Sequence, residues 1–294
     1  MNNIQPPLIS IVIPTFNHGD FLERAIRSIL NQTFENWEAI IIDNHSTDKT
    51  DEILVSFNDP RITYKKIHNK GVIAVSRNAA IKIARGEWIA FLDSDDWWVP
   101  EKLKMCLNYI HKGVDVIYHD LEIKSYKSKF FQRKKIKSRQ LKRPVLKDLL
   151  IRGNAINNSS VIVRKSLFSL IGGISEDQSL IATEDYNTWL KIANISNRFF
   201  YLPKILGYYY VHNYSVSKKN MSIPLENAVK EFINILNEKE KKLLESNLRY
   251  ASGRYQYLND IQLKTKEDLL FVLLNGPFEL KLKSLYMLIM ISFR

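Results

Sequence analysis

A chain of 294 residues with 45% hydrophobic and 25% charged residues predicts a soluble globular protein, folded as one large domain or as a domain with a smaller appendage. A single cysteine, Cys106, excludes an internal disulfide and favours a reducing compartment. The N-terminus lacks the basic and apolar regions of a signal peptide, and no apolar run approaches the roughly 18 residues of a membrane-spanning helix.

The formal net charge of +12 is unevenly distributed along the chain. Residues 124–147 contain many Lys and Arg but no Asp or Glu. Such a run could contact nucleic acid, an anionic membrane or a phosphorylated substrate, or it could be a basic loop in solvent. Composition alone leaves these interpretations open.

Strands and helices alternate over the first hundred residues. Four short apolar runs predict strands, which are ISIVIPT, WEAIIID, the weaker RITYKKI and EWIAFLD. Apolar residues at helical spacing between them predict helices over residues 21–30, 48–57 and 76–84. This alternation predicts an α/β fold with a mostly parallel, Rossmann-like sheet that helices cover on both faces.

Polar and acidic residues follow three of these predicted strands, in the segments PTFNHGD, DNHSTD and DSDD. Ligands of open α/β sheets bind at the carboxyl ends of the strands, so these segments predict a binding site at one edge of the sheet. Neither the G-x-G-x-x-G pattern nor the P-loop pattern occurs. The charge of a bound nucleotide would therefore have to be met by a metal ion and basic side chains.

The segment FLDSDDWW places three carboxylates, Asp93, Asp95 and Asp96, within four residues. Such a cluster is unfavourable unless a cation or hydrogen-bond donors neutralise it. In an extended chain Asp93 and Asp95 would point to the same side, where they could hold one divalent ion. The alternative is a solvated turn in which Asp96 caps a helix that begins near Pro100.

The second half of the chain is less regular. SSVIVRKSLF predicts a strand and then a helix, LIGGIS a tight turn, and EDYNTWLKIA an amphipathic helix with Glu184 and Asp185 in its first turn. RFFYL and LGYYYVH predict two more strands. From about Pro224 the pattern is helical to the end, with a break at Asn275–Gly276–Pro277.

In this order and spacing, these landmarks resemble glycosyltransferase family 2 on a GT-A fold. The resemblance covers residues 8 to about 217. It implies a catalytic domain over residues 1–220, with a nucleotide-sugar half over about 1–120 and an acceptor half over about 121–220. Residues 221–294 would then form a helical C-terminal extension.

The resemblance also implies a role for particular residues, and each match is made at one position of this chain. Pro14, Thr15 and Asn17 would contact the nucleoside, Asp43 its base, and Arg77 with Asn78 the nucleotide sugar or its phosphates. Asp95 would bind Mn²⁺ or Mg²⁺ directly, Asp93 would lie nearer the ribose, and His212 would approach the metal or the diphosphate. Asp185 matches the position of the catalytic base.

Simpler interpretations of single residues remain open. Asp43 could cap the loop that follows it, His212 could be structural, and Glu184 with Asp185 could only stabilise a helix N-terminus. His18 and His45 receive no role.

The resemblance implies an inverting transferase that moves a sugar from a nucleotide-diphosphate donor to a glycan or lipid-linked acceptor. The reaction would build a bacterial surface polysaccharide or lipopolysaccharide in the cytoplasm, with no nucleic-acid partner. Two alternatives are a sugar-nucleotide pyrophosphorylase, which would need a Gly-rich basic loop after the first strand, and a basic nucleic-acid-binding protein. The apolar tail after Pro277 could lie in a membrane interface or pack on protein.

Overall fold

The computed structural model describes residues 6–125, 134–136, 138–212, 220–259, 261 and 264–293. Its strands are β1 (Ile9–Thr15), β2 (Trp37–Asp43), β3 (Ile62–Lys66), β4 (Trp88–Phe91), β5 (Trp97–Trp98), β6 (Val116–Ser125), β7 (Lys135–Ile136), β8 (Ile162–Arg164) and β9 (Phe199–Val211). Its α-helices are α1 (Gly19–Leu30), α2 (Thr50–Ser56), α3 (Ile73–Ile83), α4 (Lys102–Ile110), α5 (Val145–Arg152), α6 (Ser166–Leu170), α7 (Glu184–Ile195), α8 (Ser222–Val229), α9 (Glu238–Leu258), α10 (Thr265–Asn275) and α11 (Phe278–Ser292). Short 3₁₀ helices lie at Asn158–Ser160, Gln178–Leu180 and Lys230–Ile235.

The strands form one sheet in the order β3-β2-β1-β4-β8-β6-β9-β5, and β7 pairs with β6 beside this path. The first four strands of this order are parallel to one another. β8 runs antiparallel to both of its neighbours, and β5 runs antiparallel to β9. The predicted α/β fold with a mostly parallel sheet is confirmed. The carboxyl ends of β1 to β4 lie at one edge of this sheet.

The hydrophobic core explains why polar and apolar residues do not alternate along the first strands. Every residue of β1 and β2 is buried, as is every residue of β4. Helix α1 packs its apolar face into this core through Leu22, Ala25, Ile26 and Ile29. A strand that is buried on both faces has no solvent-facing positions, so its sequence is a continuous apolar run.

The prediction of separate strands at RFFYL and LGYYYVH was wrong. One strand, β9, runs through both segments and pairs in parallel with β6. The pairing shifts where Leu202 opposes His119 but Ile205 opposes Asp120, so the pair Pro203–Lys204 is left over. Proline has no N–H to donate to a neighbouring strand, and here the chain continues past it through an irregularity.

Contacts between residues divide the chain into two compact units. Unit 1 comprises Met1–Leu141, Ala155–Glu176 and Ile195–Asn213, and unit 2 comprises Lys142–Asn154, Asp177–Asn194 and Tyr214–Arg294. Two segments from before residue 220 therefore group with the C-terminal helices. The functional boundary at residue 220 stays a prediction.

Unit 2 is helical after residue 220 in the part of the chain that is described. Helix α9 begins with a capping box, in which Asn237 and Glu240 each accept a backbone N–H of the other. The predicted break at Asn275–Gly276–Pro277 separates α10 from α11. A Cβ at Gly276 would lie 2.6 Å from the carbonyl oxygen of Val272, so the turn between these helices requires glycine. Among the described helices none is long and apolar enough to cross a membrane.

Candidate functional site

The loops after β1 and β2 are bonded to each other. The backbone N–H of Asn17 donates to Ser46 Oγ (2.8 Å), and the N–H of Thr47 donates to Asn17 Oδ1 (2.8 Å). Pro14 and Thr15 end β1 beside Ile42 and Asp43 of β2. The predicted nucleoside-contacting segment is therefore held against the loop that follows Asp43.

Asp43 is fully buried at the end of β2 and acts as the cap of its own loop. The backbone N–H of Ser46 lies 3.1 Å from both carboxylate oxygens, the Ser46 hydroxyl donates to Oδ1 (2.5 Å), and Tyr64 Oη donates to Oδ2 (3.1 Å). The capping interpretation thus describes the conformation seen here. A contact with a nucleoside base stays a prediction.

Asp93 is bound by donors from two distant segments. Arg77, whose side chain is 4% exposed, donates to Asp93 Oδ1 at 2.8 Å, and Asn158 Nδ2 donates to the same oxygen at 3.1 Å. The backbone N–H of Asp93 donates to Ser159 Oγ (3.1 Å). The carboxylate at the end of β4 is therefore neutralised by a buried guanidinium and oriented by the 3₁₀ helix Asn158–Ser160.

Asn78, one residue after Arg77, is engaged elsewhere. Its amide bridges to the loop that follows Gly173, because Nδ2 donates to the Ile174 carbonyl and to Glu176 Oε1 (2.8 Å each) and Oδ1 accepts the Ile174 N–H (3.0 Å). Asn78 therefore fixes the LIGGIS turn, whose predicted tightness is confirmed by positive φ angles at Gly172 and Gly173. Its contact with a nucleotide sugar stays a prediction.

The DSDD segment is a turn, so the expected extended geometry of Asp93 and Asp95 was wrong. The N–H of Asp96 donates to the Asp93 carbonyl at 3.0 Å. Asp95, at the turn, brings Oδ2 to 3.0 Å from Nε2 of His212, which follows directly after β9. A carboxylate and an imidazole that are 117 positions apart in the chain thus meet at the sheet edge.

His18, which received no role in the interpretation of the sequence, lies beside this pair. Its Nδ1 is 2.8 Å from Ser94 Oγ, and its ring centroid is 5.6 Å from that of His212. Burial lowers the pKa of His18, and the charge of Asp95 opposes that change. The only available signal was its position in PTFNHGD, after the first strand.

The surroundings of Asp95 disfavour its charged form. Burial, and then the neighbouring Asp93 carboxylate, raise the pKa of Asp95 above its ordinary value, and His18 and His212 only partly offset them. A carboxylate oxygen and an imidazole nitrogen 3.0 Å apart are ligands that a divalent ion such as Mn²⁺ accepts. The pair therefore fits a metal that would take its remaining ligands from a bound diphosphate. Within the described ranges no three His, Cys, Asp or Glu side chains form a metal-holding group, so the ligand set Asp95, Asp93 and His212 stays a prediction.

Asp96 is a structural anchor and not a helix cap. It is fully buried, and its Oδ1 accepts the N–H of Tyr210 on β9 (2.9 Å). Burial and the charges of Asp95 and Asp93 raise its pKa well above the ordinary value. Helix α4 begins only at Lys102, six positions later. Asp96 therefore joins the acidic turn to β9, two residues before His212.

The two tryptophans that follow the acidic turn each pair with a cation, Trp97 with Arg24 and Trp98 with Lys102. Arg24 donates to the Asp95 carbonyl (2.8 Å), and its guanidinium carbon lies 3.6 Å from the centroid of the Trp97 ring. Trp98 Nε1 donates to the Ser159 carbonyl (2.7 Å), and the buried Lys102 ammonium lies 3.4 Å from the centroid of the Trp98 ring. The two tryptophans therefore position the acidic turn, and no sequence signal paired either with its cation.

Asp185 lies in unit 2, near the start of α7. It is partly buried, and its Oδ1 accepts the N–H of the next residue, Tyr186 (2.7 Å). The inward residues predicted for this helix, Trp189, Leu190, Ile192 and Ala193, are all buried, but so are Tyr186, Asn187 and Thr188, so the helix is enclosed on more than the one predicted face. The assignment of Asp185 as a base stays a prediction.

Positive φ angles at residues other than glycine occur in two of the polar segments that follow predicted strands and in two other loops. Four described residues other than glycine have positive φ, namely Asn17 (50°), His45 (55°), Lys70 (52°) and Ala182 (73°). The first three follow β1, β2 and β3, and Ala182 precedes α7. Such residues cost on the order of 1–3 kcal/mol each and cluster where a ligand site demands a particular backbone. The positions of Asn17 and His45 support a site at the loops after β1 and β2.

Two comparisons of sequence relate the chain to known proteins. A model of the family described as Glycosyl transferase family 2 matches residues 10–168. The chain is 31% identical over 194 residues to the UDP-Glc:alpha-D-GlcNAc-diphosphoundecaprenol beta-1,3-glucosyltransferase WfgD of Escherichia coli, covering 65% of this chain and 71% of WfgD. The family match includes Arg77, Asp93 and Asp95, whereas Asp185 and His212 lie beyond it.

Solved structures resemble this chain over a larger share of its length than WfgD does. The TarS 1–349 complex with UDP-GlcNAc from S. aureus has a TM-score of 0.66 at 20% identity and covers 90% of this chain and 79% of that one. The mannosyltransferase PcManGT from Pyrobaculum calidifontis, in complex with GDP-Man and Mn²⁺, has a TM-score of 0.63 at 16% identity and covers 99% and 82%. At these identities the likeness establishes a shared fold.

Proposed function

The chain belongs to glycosyltransferase family 2 and has the GT-A fold, and from that premise we propose that it is an inverting transferase. It would move a hexose or N-acetylhexosamine from a nucleotide-diphosphate donor to a hydroxyl of a glycan or lipid-linked acceptor. Family membership favours transfer over the pyrophosphorylase alternative. The fold likeness to chains that bind UDP-GlcNAc and GDP-Man supports a nucleotide-sugar donor.

The edge of the sheet in unit 1 is suited to a nucleoside diphosphate. Pro14, Thr15 and Asn17 would contact the nucleoside, and Asp43 would exchange a bond to its loop for one to the base. The Thr15 hydroxyl is buried and has no hydrogen-bond partner within the described ranges, so it has bonding capacity to spare. Arg77 and Asn78 would lie near the donor sugar or its phosphates.

Asp95 and His212, with Asp93 close by, would hold Mn²⁺ or Mg²⁺. A bound divalent ion would stabilise the negative charge that grows on the leaving diphosphate. PcManGT is known with Mn²⁺, which supports this choice of ion. The chain itself supplies the buried scaffold, because Arg77, Asn158 and the turn keep Asp93 oriented before the donor binds.

Asp185 would accept the proton of the acceptor hydroxyl. A sugar hydroxyl is a poor nucleophile, so a positioned carboxylate must remove its proton while the anomeric carbon is attacked. In a single displacement the base and the leaving group act from opposite faces of the sugar, and the configuration inverts. The strained Ala182 just before α7 supports a functional role for this helix start.

The acceptor would be part of a bacterial surface polysaccharide or lipopolysaccharide. The name of WfgD states an acceptor on diphosphoundecaprenol, and a relative of this kind supports a lipid-linked acceptor here. A lipid-linked acceptor would place the protein in the cytoplasm at the inner face of the plasma membrane. The basic run would contribute to that contact; its residues 126–133 and 137 lie outside the described ranges.

The observation that carries the proposal is the contact between Asp95 Oδ2 and His212 Nε2 at the carboxyl edge of the sheet. It is tested with a panel of UDP-, GDP-, CDP- and dTDP-sugars, each mixed with protein and Mn²⁺. A true donor binds the folded state and raises the melting temperature by mass action. The same donor should be slowly hydrolysed or transferred, with release of its nucleoside diphosphate.

His212→Ala provides the specificity control. The variant should fold but lose most of the Mn²⁺-dependent part of the thermal shift, because one of the two side chains proposed to hold the ion has been removed. If no nucleotide sugar raises the melting temperature of the wild type, or if His212→Ala responds as the wild type does, the proposed function is wrong.

A further inference from the structure

Helix α11 of unit 2 presents apolar residues on two sides. On the inner side Ser284 and Met287 are buried. The outer side carries a stripe of exposed large apolar residues, 36% to 83% accessible, which we call the outer stripe: Phe278, Leu282, Leu285, Tyr286, Ile289, Met290 and Phe293. Their spacing is that of one broad helix face. A run of exposed apolar residues this long marks a surface that contacts lipid or another protein.

A groove of about 490 Å³ lies beside the outer stripe, between α9 and α11. Its lining consists of Leu258, Leu282 and Met287, three tyrosines (Tyr250, Tyr257 and Tyr286), and two cations (Arg254 and Lys283). None of the described residues that line it is acidic. Lys283 is paired with Glu279 one turn away (2.6 Å), whereas Arg254 is exposed and makes no ion pair with another described residue. The groove therefore joins an apolar wall to positive charge.

This combination matches an amphiphilic anion better than a purely apolar partner. A phospholipid offers a negatively charged phosphate for Arg254 and Lys283 and acyl chains for the outer stripe. Tyrosines favour the boundary between headgroups and hydrocarbon, where the ring is in an apolar layer and the hydroxyl is in water. Because no described helix can span a bilayer, α11 would lie in the plane of the interface.

We propose that the α9–α11 groove and the outer stripe of α11 form a binding surface for anionic membrane lipid. The purpose of this surface rests on the proposed function, since a lipid-linked acceptor is presented at a bilayer. The ability of this surface to bind lipid does not rest on the proposed function. The surface lies wholly in unit 2, and the residues proposed to bind the nucleotide sugar lie in unit 1. Lipid binding and donor binding can therefore fail separately.

The test is flotation of the full chain with vesicles of neutral phosphatidylcholine, with or without about 30% phosphatidylglycerol, at low and high salt. We expect the protein to float with the anionic vesicles and to remain largely at the bottom with neutral ones. The double substitution Leu282→Glu with Ile289→Glu should lower the partition coefficient at least tenfold. Arg254→Gln should lower it about fivefold at low salt, as expected for one basic residue at an anionic surface.

Matched substitutions in unit 1 control for surface chemistry. Val55 and Leu170 are 84% and 72% exposed, so Val55→Glu with Leu170→Glu adds the same charge away from α11. Lys104→Gln removes an exposed positive charge elsewhere. Both controls should float as the wild type does. All variants should keep the donor-induced thermal shift, which separates loss of lipid binding from loss of the proposed function.

Three results would overturn the proposal. The wild type could fail to float with anionic vesicles. The outer-stripe variant could float as well as its unit 1 control. Finally, sedimentation velocity could show a wild-type dimer that Leu282→Glu with Ile289→Glu converts to a monomer without changing flotation, in which case the stripe is covered by a second copy of the chain.

Discussion

The acidic turn of unit 1 and the start of α7 in unit 2 both carry adjacent carboxylates, yet the two regions are stabilised differently. Asp93 and Asp96 are bonded to Arg77, Asn158 and Tyr210, which are between 16 and 114 positions away in the chain. Asp185 accepts a hydrogen bond from its immediate neighbour in the chain. Carboxylates that repel one another need a tertiary scaffold, whereas a carboxylate at a helix N-terminus is favoured by the helix itself.

This difference indicates separate tasks for the two regions. Burial, and after it the neighbouring carboxylates, raise the pKa values of Asp95 and Asp96, so a cation bound at the turn would stabilise their charged forms. Asp185 lies at a helix start, and under the proposed function it would accept a proton there without loss of the surrounding structure. Four substitutions test this division, and we take them from the largest expected effect to the smallest.

Asp185→Asn should lower the rate of transfer by about 10²–10⁴-fold while stability changes by less than about 1 kcal/mol. Asparagine keeps the shape and most of the capping ability of aspartate but cannot accept a proton. Single-turnover transfer, donor-induced thermal shift and urea unfolding measure the three properties separately. Asp177→Asn, which alters another capping aspartate of unit 2, is the control. A wild-type transfer rate in the Asp185→Asn variant would show that Asp185 only caps the helix.

Asp95→Asn should lower kcat/KM by roughly 10²–10³-fold, because several kcal/mol of charge stabilisation depend on the bound ion. Excess chelator should have the same effect on the wild type. The substitution should also raise stability slightly in the absence of ligand, since it removes one of the repelling charges. Asp59→Asn, at a surface pair with Arg61, controls for loss of a carboxylate. Full activity of the wild type in chelator would contradict the role of the turn.

Lys102→Met should stabilise the protein by about 2 kcal/mol at pH 7, because it removes a buried charge that lies over the Trp98 ring and has no hydrogen-bond partner among the described residues. Burial lowers the pKa of Lys102 to about 7, against about 10.4 in the unfolded chain. Between these values the unfolded state binds more protons, so wild-type stability rises with pH across this window. The advantage of Lys102→Met should therefore shrink from pH 7 to pH 10, as urea unfolding at several pH values would measure. A constant difference would show that folding does not lower the pKa of Lys102.

Asn158→Ala should lower kcat/KM about tenfold, by releasing Asp93 from one of its two donors. The loss should appear mainly in the KM for the donor, since Arg77 still neutralises the carboxylate. Gln32→Ala removes a buried amide of unit 1 that bonds the backbone at Val99 and Leu103. That control should lose similar stability without a change in KM. Equal KM values in the two variants would mean that Asn158 is only structural.

The sequence predicted the part of the fold that depends on local patterns. The strands β1, β2 and β4 were predicted because continuous apolar runs of that length fit a buried strand, and their order placed the polar segments at one edge. The pairing of Asp95 with His212 was expected only through the resemblance to the family. Neither residue has a local pattern that points to the other across 117 positions.

The supporting residues could not be predicted for the same reason. Ser159 lies in NNSSVI, which looks like an ordinary polar turn, yet its hydroxyl and carbonyl bond Asp93 and Trp98. The merging of two predicted strands into β9 depends on tertiary pairing that tolerates Pro203. A helix cap was only an alternative for Asp96, and its actual bond to Tyr210, 114 positions away, has no local sequence signal. Such contacts become visible only when the strands are assembled.

The central claim is that the acidic turn is prepared for a cation but completes its ligand set only with a diphosphate. It is tested most directly by titrating Mn²⁺ into the protein, with and without UDP or GDP, and measuring free Mn²⁺ by electron paramagnetic resonance. The account predicts weak Mn²⁺ binding alone, at least tenfold tighter binding with the matching nucleotide, and loss of the tightening in Asp95→Asn. Mn²⁺ affinity that is unaffected by every nucleoside diphosphate, or tightening that persists in Asp95→Asn, would contradict it.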